Sequence, residues 1–323
     1  MPLYKSDVHI DRALTSYALG YSNADFVGGL LFPELKVAKD SDKYFVFGTI
    51  GKRQIFGDGN TSTVWEDGTD PPEVSDGRTT QTYSCIQHGL SDKVTDSELR
   101  NSDSPLRPFQ DKTVFLQELL ALDMEKAIAT KATTQANYPS ANRTQLSGSS
   151  QWSDTSGTSD PINDVMVASD AVRKVVGKWG NTLVVSGEVF IKLLQHPDIM
   201  EFSKRHAAAL PDEAFFANFF RSAGITRFGV AGGIKNTANE FATESISDVW
   251  GKHAVVAYVA PSPAIGTPSY GYNFASIPAQ VEREARRNHA VKIITSRNWD
   301  PEFVCADSNG DAIGGYLIED AVA

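Results

Sequence analysis

Residues Phe56–Gly77 read FGDGNTSTVWEDGTDPPEVSDG, and only Phe56, Val64, Trp65 and Val74 among them are apolar. The segment cannot build a core of its own. It carries the acids Asp58, Glu66, Asp67, Asp70, Glu73 and Asp76 and no Lys or Arg. An aperiodic stretch of this length inside a compact fold is either disordered or functional. Lys43–Ile50 (KYFVFGTI) and Thr79–Ile86 (TTQTYSCI) flank it, and their β-branched and aromatic content predicts strands. The expectation is a two-stranded projection that needs an outside surface to lie on; a floppy acidic loop is the plainer reading.

Before this segment, residues 1–40 show one short helical stretch, Asp11–Leu19, and an apolar cluster of Phe26, Val27, Leu30, Leu31 and Phe32 that stops at Pro33. They read as an arm lying on something else. After it, Phe109–Lys131 gives the strongest helix signal, with Leu116, Leu119, Leu120, Met124, Ala127 and Ile128 as a one-sided stripe. Residues 132–160 are rich in Ser, Thr, Gly and Asn, a linker that Trp152 would anchor. A mixed domain follows: helices at Pro161–Val176, Glu188–Gln195 and Asp212–Ser222, and strands at Thr182–Ser186, Ile225–Val230, His253–Val259 and Tyr270–Ile277. Phe215, Phe216, Phe219 and Phe220 form a core face. An extended stretch from His289 leads to Phe303–Asp307, which is expected to pair with Ala312–Ile318 through Ser308, Asn309 and Gly310.

The 323 residues are 41% hydrophobic and 22% charged, which excludes general disorder and suggests about two domains. The net charge of −10 repels nucleic acid unless cations gather on one face. They gather once, as Arg283, Arg286, Arg287, Lys292 and Arg297. A solvated strand, a nucleic-acid contact and a counter-surface for an acidic segment are all open readings of that group. No apolar run is long enough to cross a membrane and no signal peptide is evident. Cys85 and Cys305 are far apart and sit in no metal-ligand spacing, so a reduced compartment with two inert buried thiols is expected. GxGxxG, GxxxxGK[ST], HExxH and GxSxG are all absent, the six histidines are unclustered, and Asp307, Asn309 and Asp311 lack the glycine and glutamate a calcium loop requires. No catalytic, cofactor or metal site is expected, although an enzyme with an unrecognised centre in Thr182–Val259 stays a lesser alternative.

Several stretches, in this order, resemble the major capsid proteins of tailed bacteriophages with the Hong Kong 97-type fold: Phe26–Val37 (FVGGLLFPELKV), Gln87–Arg100 (QHGLSDKVTDSELR), Leu119–Glu125 (LLALDME), Trp152–Pro161 (WSDTSGTSDP), Asn181–Ser186 (NTLVVS), Leu194–Pro197 (LQHP), Val249–Tyr258 (VWGKHAVVAY) and Gly315–Val322 (GYLIEDAV). The resemblance implies an α+β fold with an N-terminal arm (1–40), an E-loop (41–88), a P domain with its spine helix (89–158), an A domain (159–280) and returning P-domain strands (281–323). It implies a shell subunit, not an enzyme, that assembles with itself through hexamers and pentamers into an icosahedral head around double-stranded DNA, touched weakly and without sequence preference. An encapsulin-type compartment is the alternative from the same fold. A separate scaffolding protein, a portal and a decoration protein are implied partners, with synthesis in the host cytoplasm and residence in the virion. Lys–Asn crosslinking of the family's type member is not expected, because the loop tip has no Lys. Within this frame Asp58, Val64, Trp65, Glu66, Asp67, Asp70, Glu73 and Asp76 are the expected E-loop contacts, and the five basic residues their candidate counter-surface.

Overall fold

The structure is a computed structural model that describes residues 8–12, 14, 15, 18, 23, 25–48, 65, 67, 68, 70, 79–102, 106–205, 213–238, 243–264 and 267–323. Strand β1 (Val8–Ile10) precedes the short helix α1 (Gly28–Leu31) and strands β2 (Glu34–Lys36), β3 (Ser41–Val46), β4 (Thr79–Ser84) and β5 (Ile86–Thr95). Helices α2 (Asp96–Asn101) and α3 (Pro108–Thr133) lead to β6 (Arg143–Gln145), α4 (Pro161–Val176) and β7 (Thr182–Ser186). Then come α5 (Gly187–Gln195), α6 (Pro197–Arg205), α7 (Glu213–Phe219), β8 (Arg227–Ala231), β9 (Ile234–Asn236) and β10 (Ile246–Asp248). The chain closes with β11 (Ala254–Ala257), β12 (Gly271–Ala275), β13 (Gln280–Glu284), β14 (Ala290–Phe303) and β15 (Gly315–Glu319).

Local chemistry explains several of these boundaries. Thr95 and Glu98 form a reciprocal capping box at the start of α2, Thr95 Oγ1 accepting the Glu98 amide at 3.2 Å. Pro108 and Pro161 occupy the first turns of α3 and α4, where a missing amide proton costs nothing. Asp160 accepts the Asn163 amide at 2.9 Å, and Gly177, at φ 79°, ends α4 in a left-handed conformation.

Two sheets organise the molecule. One runs β6-β15-β11-β7-β8; β7 and β11, TLVVS and AVVA, are buried along their whole length. Alternation sends Leu183, Val185, Ala254 and Val256 into a core with α4, α5 and α7, and Val184, Val255 and Ala257 into a second core with α3. The other sheet is built on β14, which pairs with β5 from Ala290↔Thr95 to Trp299↔Ile86, with β13 on its other side and with β12 at its C-terminal end. Helix α3 lies on this sheet, with Leu116 packed among Val94, Val281 and Ile293.

Three expectations are corrected. The α3 stripe is rotated: Leu119 is exposed, whereas Gln117 and Glu125 are buried beside Leu116, Leu120 and Ile128. The arm does not wait for another surface, because Val27, Leu31 and Phe32 are buried in the second core of the same chain and β1 adds to the edge of β13. The C-terminal hairpin reduces to one bridge, Ala306↔Ala312; β15 leaves to pair with β11 and β6, where both of its faces are covered. Other expectations hold. Phe216 and Phe220 are buried, Cys85 and Cys305 are buried free thiols, and the Trp152 indole donates to Asp164 at 2.8 Å from a fully covered position.

Candidate assembly interface

Strands β3 and β4 pair in register from Ser41↔Ser84 to Val46↔Thr79, the two strands that flank the acidic segment in sequence. That ladder is anchored in the body at both ends. Tyr83 stacks on Phe274 at 4.5 Å, Tyr44 Oη donates to the Phe303 carbonyl at 3.0 Å, and the Phe47 amide donates to the Val304 carbonyl at 2.8 Å. Along β3 only Val46, at the end next to the acidic segment, is buried. Asp58, Val64, Glu66, Glu73 and Asp76 lie outside the described residues. Asp67 and Asp70 are exposed, and Trp65 is 64% exposed, an uncommon position for an indole on a stable surface.

The five basic residues gather around the β13–β14 hairpin, and four already have acids of their own chain. Arg283 sits 3.6 Å from Asp11 and 4.0 Å from the Phe109 ring centre; Arg286 binds Asp96; Lys292 is 3.6 Å from Glu284; Arg297 binds Glu34. The Arg286 hydrogen bond holds the Asp96 carboxyl below the usual carboxylate range. Arg287 makes no ion pair among the described residues. An acidic segment from outside would therefore meet one unpaired cation and four exchangeable pairs, each worth about 0–1 kcal/mol at an exposed site.

Sequence reasoning missed the residue that ties arm, helix and mixed domain together. Glu125 of α3 is buried, and its carboxylate accepts the Val27 and Gly28 amides at 3.0 Å and the Trp250 indole at 2.7 Å. Burial pushes its pKa up, against these three donors. Gly28 is what permits the approach, since a Cβ there would stand 2.6 Å from Glu125 Oε2. The only sequence signal was Gly-Gly beside an apolar cluster, and nothing in it named the partner. A second buried polar point, Tyr138 hydrogen-bonded to Tyr270, joins the end of α3 to the strand region near Phe303.

No cluster of His, Cys, Asp and Glu that could hold a metal occurs among the described residues, and no described helix is long and apolar enough to cross a membrane. The described surface instead carries exposed apolar side chains, among them Trp65, Val167, Trp179, Ile234 and Ile246.

No family model matches the sequence. The chain is 26% identical over 316 residues to the major capsid protein of Burkholderia phage BcepMu, covering 96% of this chain and 95% of that protein. A phage-related protein from Bordetella bronchiseptica RB50 superposes with a TM-score of 0.73 at 25% identity, over 97% of each chain. The capsid of cyanophage P-SCSP1u shares the fold at TM-score 0.55 and 10% identity, over 90% of this chain and 85% of that one. With its β3–β4 hairpin, long helix on a long strand and five-stranded sheet, the chain has the Hong Kong 97-type capsid fold and is related in sequence to phage major capsid proteins.

Proposed function

We propose that this chain is the major capsid protein of a tailed phage, a structural subunit rather than an enzyme, whose copies associate into hexamers and pentamers and close into an icosahedral head around double-stranded DNA. The observation that carries this reading is the correspondence with a phage major capsid protein over 96% of this chain and 95% of that protein. In this reading residues 1–40 are the arm, 41–88 the E-loop, 89–158 with 281–323 the P domain and 159–280 the A domain. The sheets cut across these segments: β15 belongs with β7 and β11, and β12 with β14. A separate scaffolding protein, a portal and a decoration protein belong to the same proposal, as do synthesis in the host cytoplasm and weak, sequence-independent contact with packaged DNA.

The E-loop acids would lie across a neighbouring copy near Arg287 and its paired neighbours, with Val64 and Trp65 as the apolar anchor. Electron microscopy of the chain expressed with its neighbouring phage genes tests the shell. Closed particles containing DNA are expected. DNA-free particles loaded with a cargo enzyme would favour a compartment, and monomers at high concentration would end the proposal.

A further inference from the structure

The five-stranded sheet carries two apolar surfaces at its opposite ends. At the end where β7 and β8 begin, a groove of about 720 Å³ runs beside α4. Met166 and Val167 on α4 and Trp179 just before β7 give it apolar walls, and Val167 and Trp179 are each 51% exposed. Its rim is cationic. Arg173 and Lys174 share the single carboxylate of Asp170, at 2.5 and 2.7 Å, leaving one positive charge uncompensated, and the Arg173 guanidinium lies 4.8 Å from the Trp179 ring centre.

At the other end, where β7 passes into α5, the β9–β10 ribbon follows β8. A Cβ on Gly187 would stand 3.5 Å from Asp248 Oδ2, which places the ribbon there. The register Ile246↔Asn236 and Asp248↔Ile234 puts Ile234 and Ile246 on one face of the ribbon, with Asp248 directly opposite Ile234 on that face and Lys235 on the other. Both isoleucines are largely exposed, 55% and 62%. Glu244, two residues before Ile246, and Asp248 pair with no cation among the described residues.

The two surfaces complement each other in polarity and charge, an acidic apolar ridge against a cationic apolar groove. They cannot meet within one chain, because a strand of five residues, about 17 Å, separates them. We infer that the β9–β10 ribbon of one copy docks in the α4 groove of the next, a head-to-tail contact. Contacts of that kind generate rings when the rotation closes. Ile234 and Ile246 are the anchors, and Glu244 and Asp248 face Arg173 and Lys174 at the rim. The inference rests on the shell reading and specifies which surfaces make the ring.

The test introduces Val167→Cys and Ile246→Cys in one chain, assembled under a mild added oxidant; the native thiols are buried. Non-reducing electrophoresis should show a ladder ending at the ring size, with no disulfide dimer from either single variant. In parallel, Ile246→Asp and Val167→Asp chains, checked for parental melting temperature, should each form at least tenfold fewer rings by analytical ultracentrifugation. Mixed together they should give dimers, since each mixture holds one intact groove facing one intact ribbon. Aspartate variants that assemble as the parent does, single-cysteine disulfide dimers, or the absence of both ladder and mixed dimer would overturn the docking and leave the shell reading standing if particles still form. Parent chains that stay monomeric under every assembly condition would overturn both.

Discussion

The centre of the five-stranded sheet and the β3–β4 hairpin are both strands, yet they answer opposite demands. In β7 every residue is buried, and its side chains feed two cores at once. In β3 only Val46 is buried, and the chain beyond it is acidic and nearly free of apolar side chains. The first region stabilises a single copy. The second is tied to that copy at Val46, Phe47 and Tyr83, and in the proposed reading the acidic segment it flanks serves contacts between copies. A substitution should therefore reveal its region by whether it moves the melting temperature or the particle yield.

The largest expected effect sharpens the first half of that contrast. Leu183→Ala empties a fully buried site between the sheet and α4 and should cost about 2–5 kcal/mol, seen as a fall in both melting temperature and urea midpoint of the unassembled chain. Assembly defects without that fall would break the comparison.

Glu125→Leu comes next, because it leaves the Val27, Gly28 and Trp250 donors buried without an acceptor. A loss of about 2–3 kcal/mol is expected in chemical unfolding. The pH dependence has a definite sign. A carboxyl whose folded pKa is raised binds its proton more tightly when folded, so its contribution is greatest below the ordinary value of 4.5 and is lost as pH climbs through the raised one. The difference in stability between the parent and Glu125→Gln should accordingly shrink as pH rises above about 4.5. A difference that grows with pH would contradict the assignment.

On the hairpin the pattern should invert. Trp65→Ala should leave the melting temperature of the unassembled chain within a degree or two, as surface substitutions usually stay within about 0.5 kcal/mol, while particle yield by sedimentation falls. The smallest effect per residue belongs to charge. Reversing Glu66, Asp67 and Asp70 to Lys together should keep the fold, lower particle yield most at low salt and make the yield rise with salt where the parent's falls. Reversing Arg283, Arg286 and Arg287 to Glu in the same chain should restore part of the yield. If the triple acid reversal assembles like the parent, the loop does not dock through these acids.

How far the sequence was legible follows from where each signal resides. TLVVS and AVVA name themselves as strands because a continuous apolar run needs no partner to be recognised, and both are buried along their whole length. The α3 stripe misled by a fraction of a turn. An acid in LLALDME belongs in water by its own chemistry, and Glu125 is drawn inward by amides nearly a hundred residues earlier and by Trp250. The basic group looked available because its acids, Asp11, Asp96 and Glu34, are distant in sequence from it.

Composition and spacing alone determined that the chain mixes helices and strands, holds an acidic segment poor in apolar side chains, carries no recognisable catalytic motif and buries two thiols, because burial preference and turn chemistry act locally. Only the tertiary structure decided that the arm belongs to its own core, that β15 joins the mixed-domain sheet, and that a groove and a ribbon sit at opposite ends of that sheet. Those outcomes depend on which distant segments meet, a choice set by close approaches such as Gly28 against Glu125 and by strand register. The physical reason is that pairing energy is gained between residues far apart in the chain, where no local pattern records the partner.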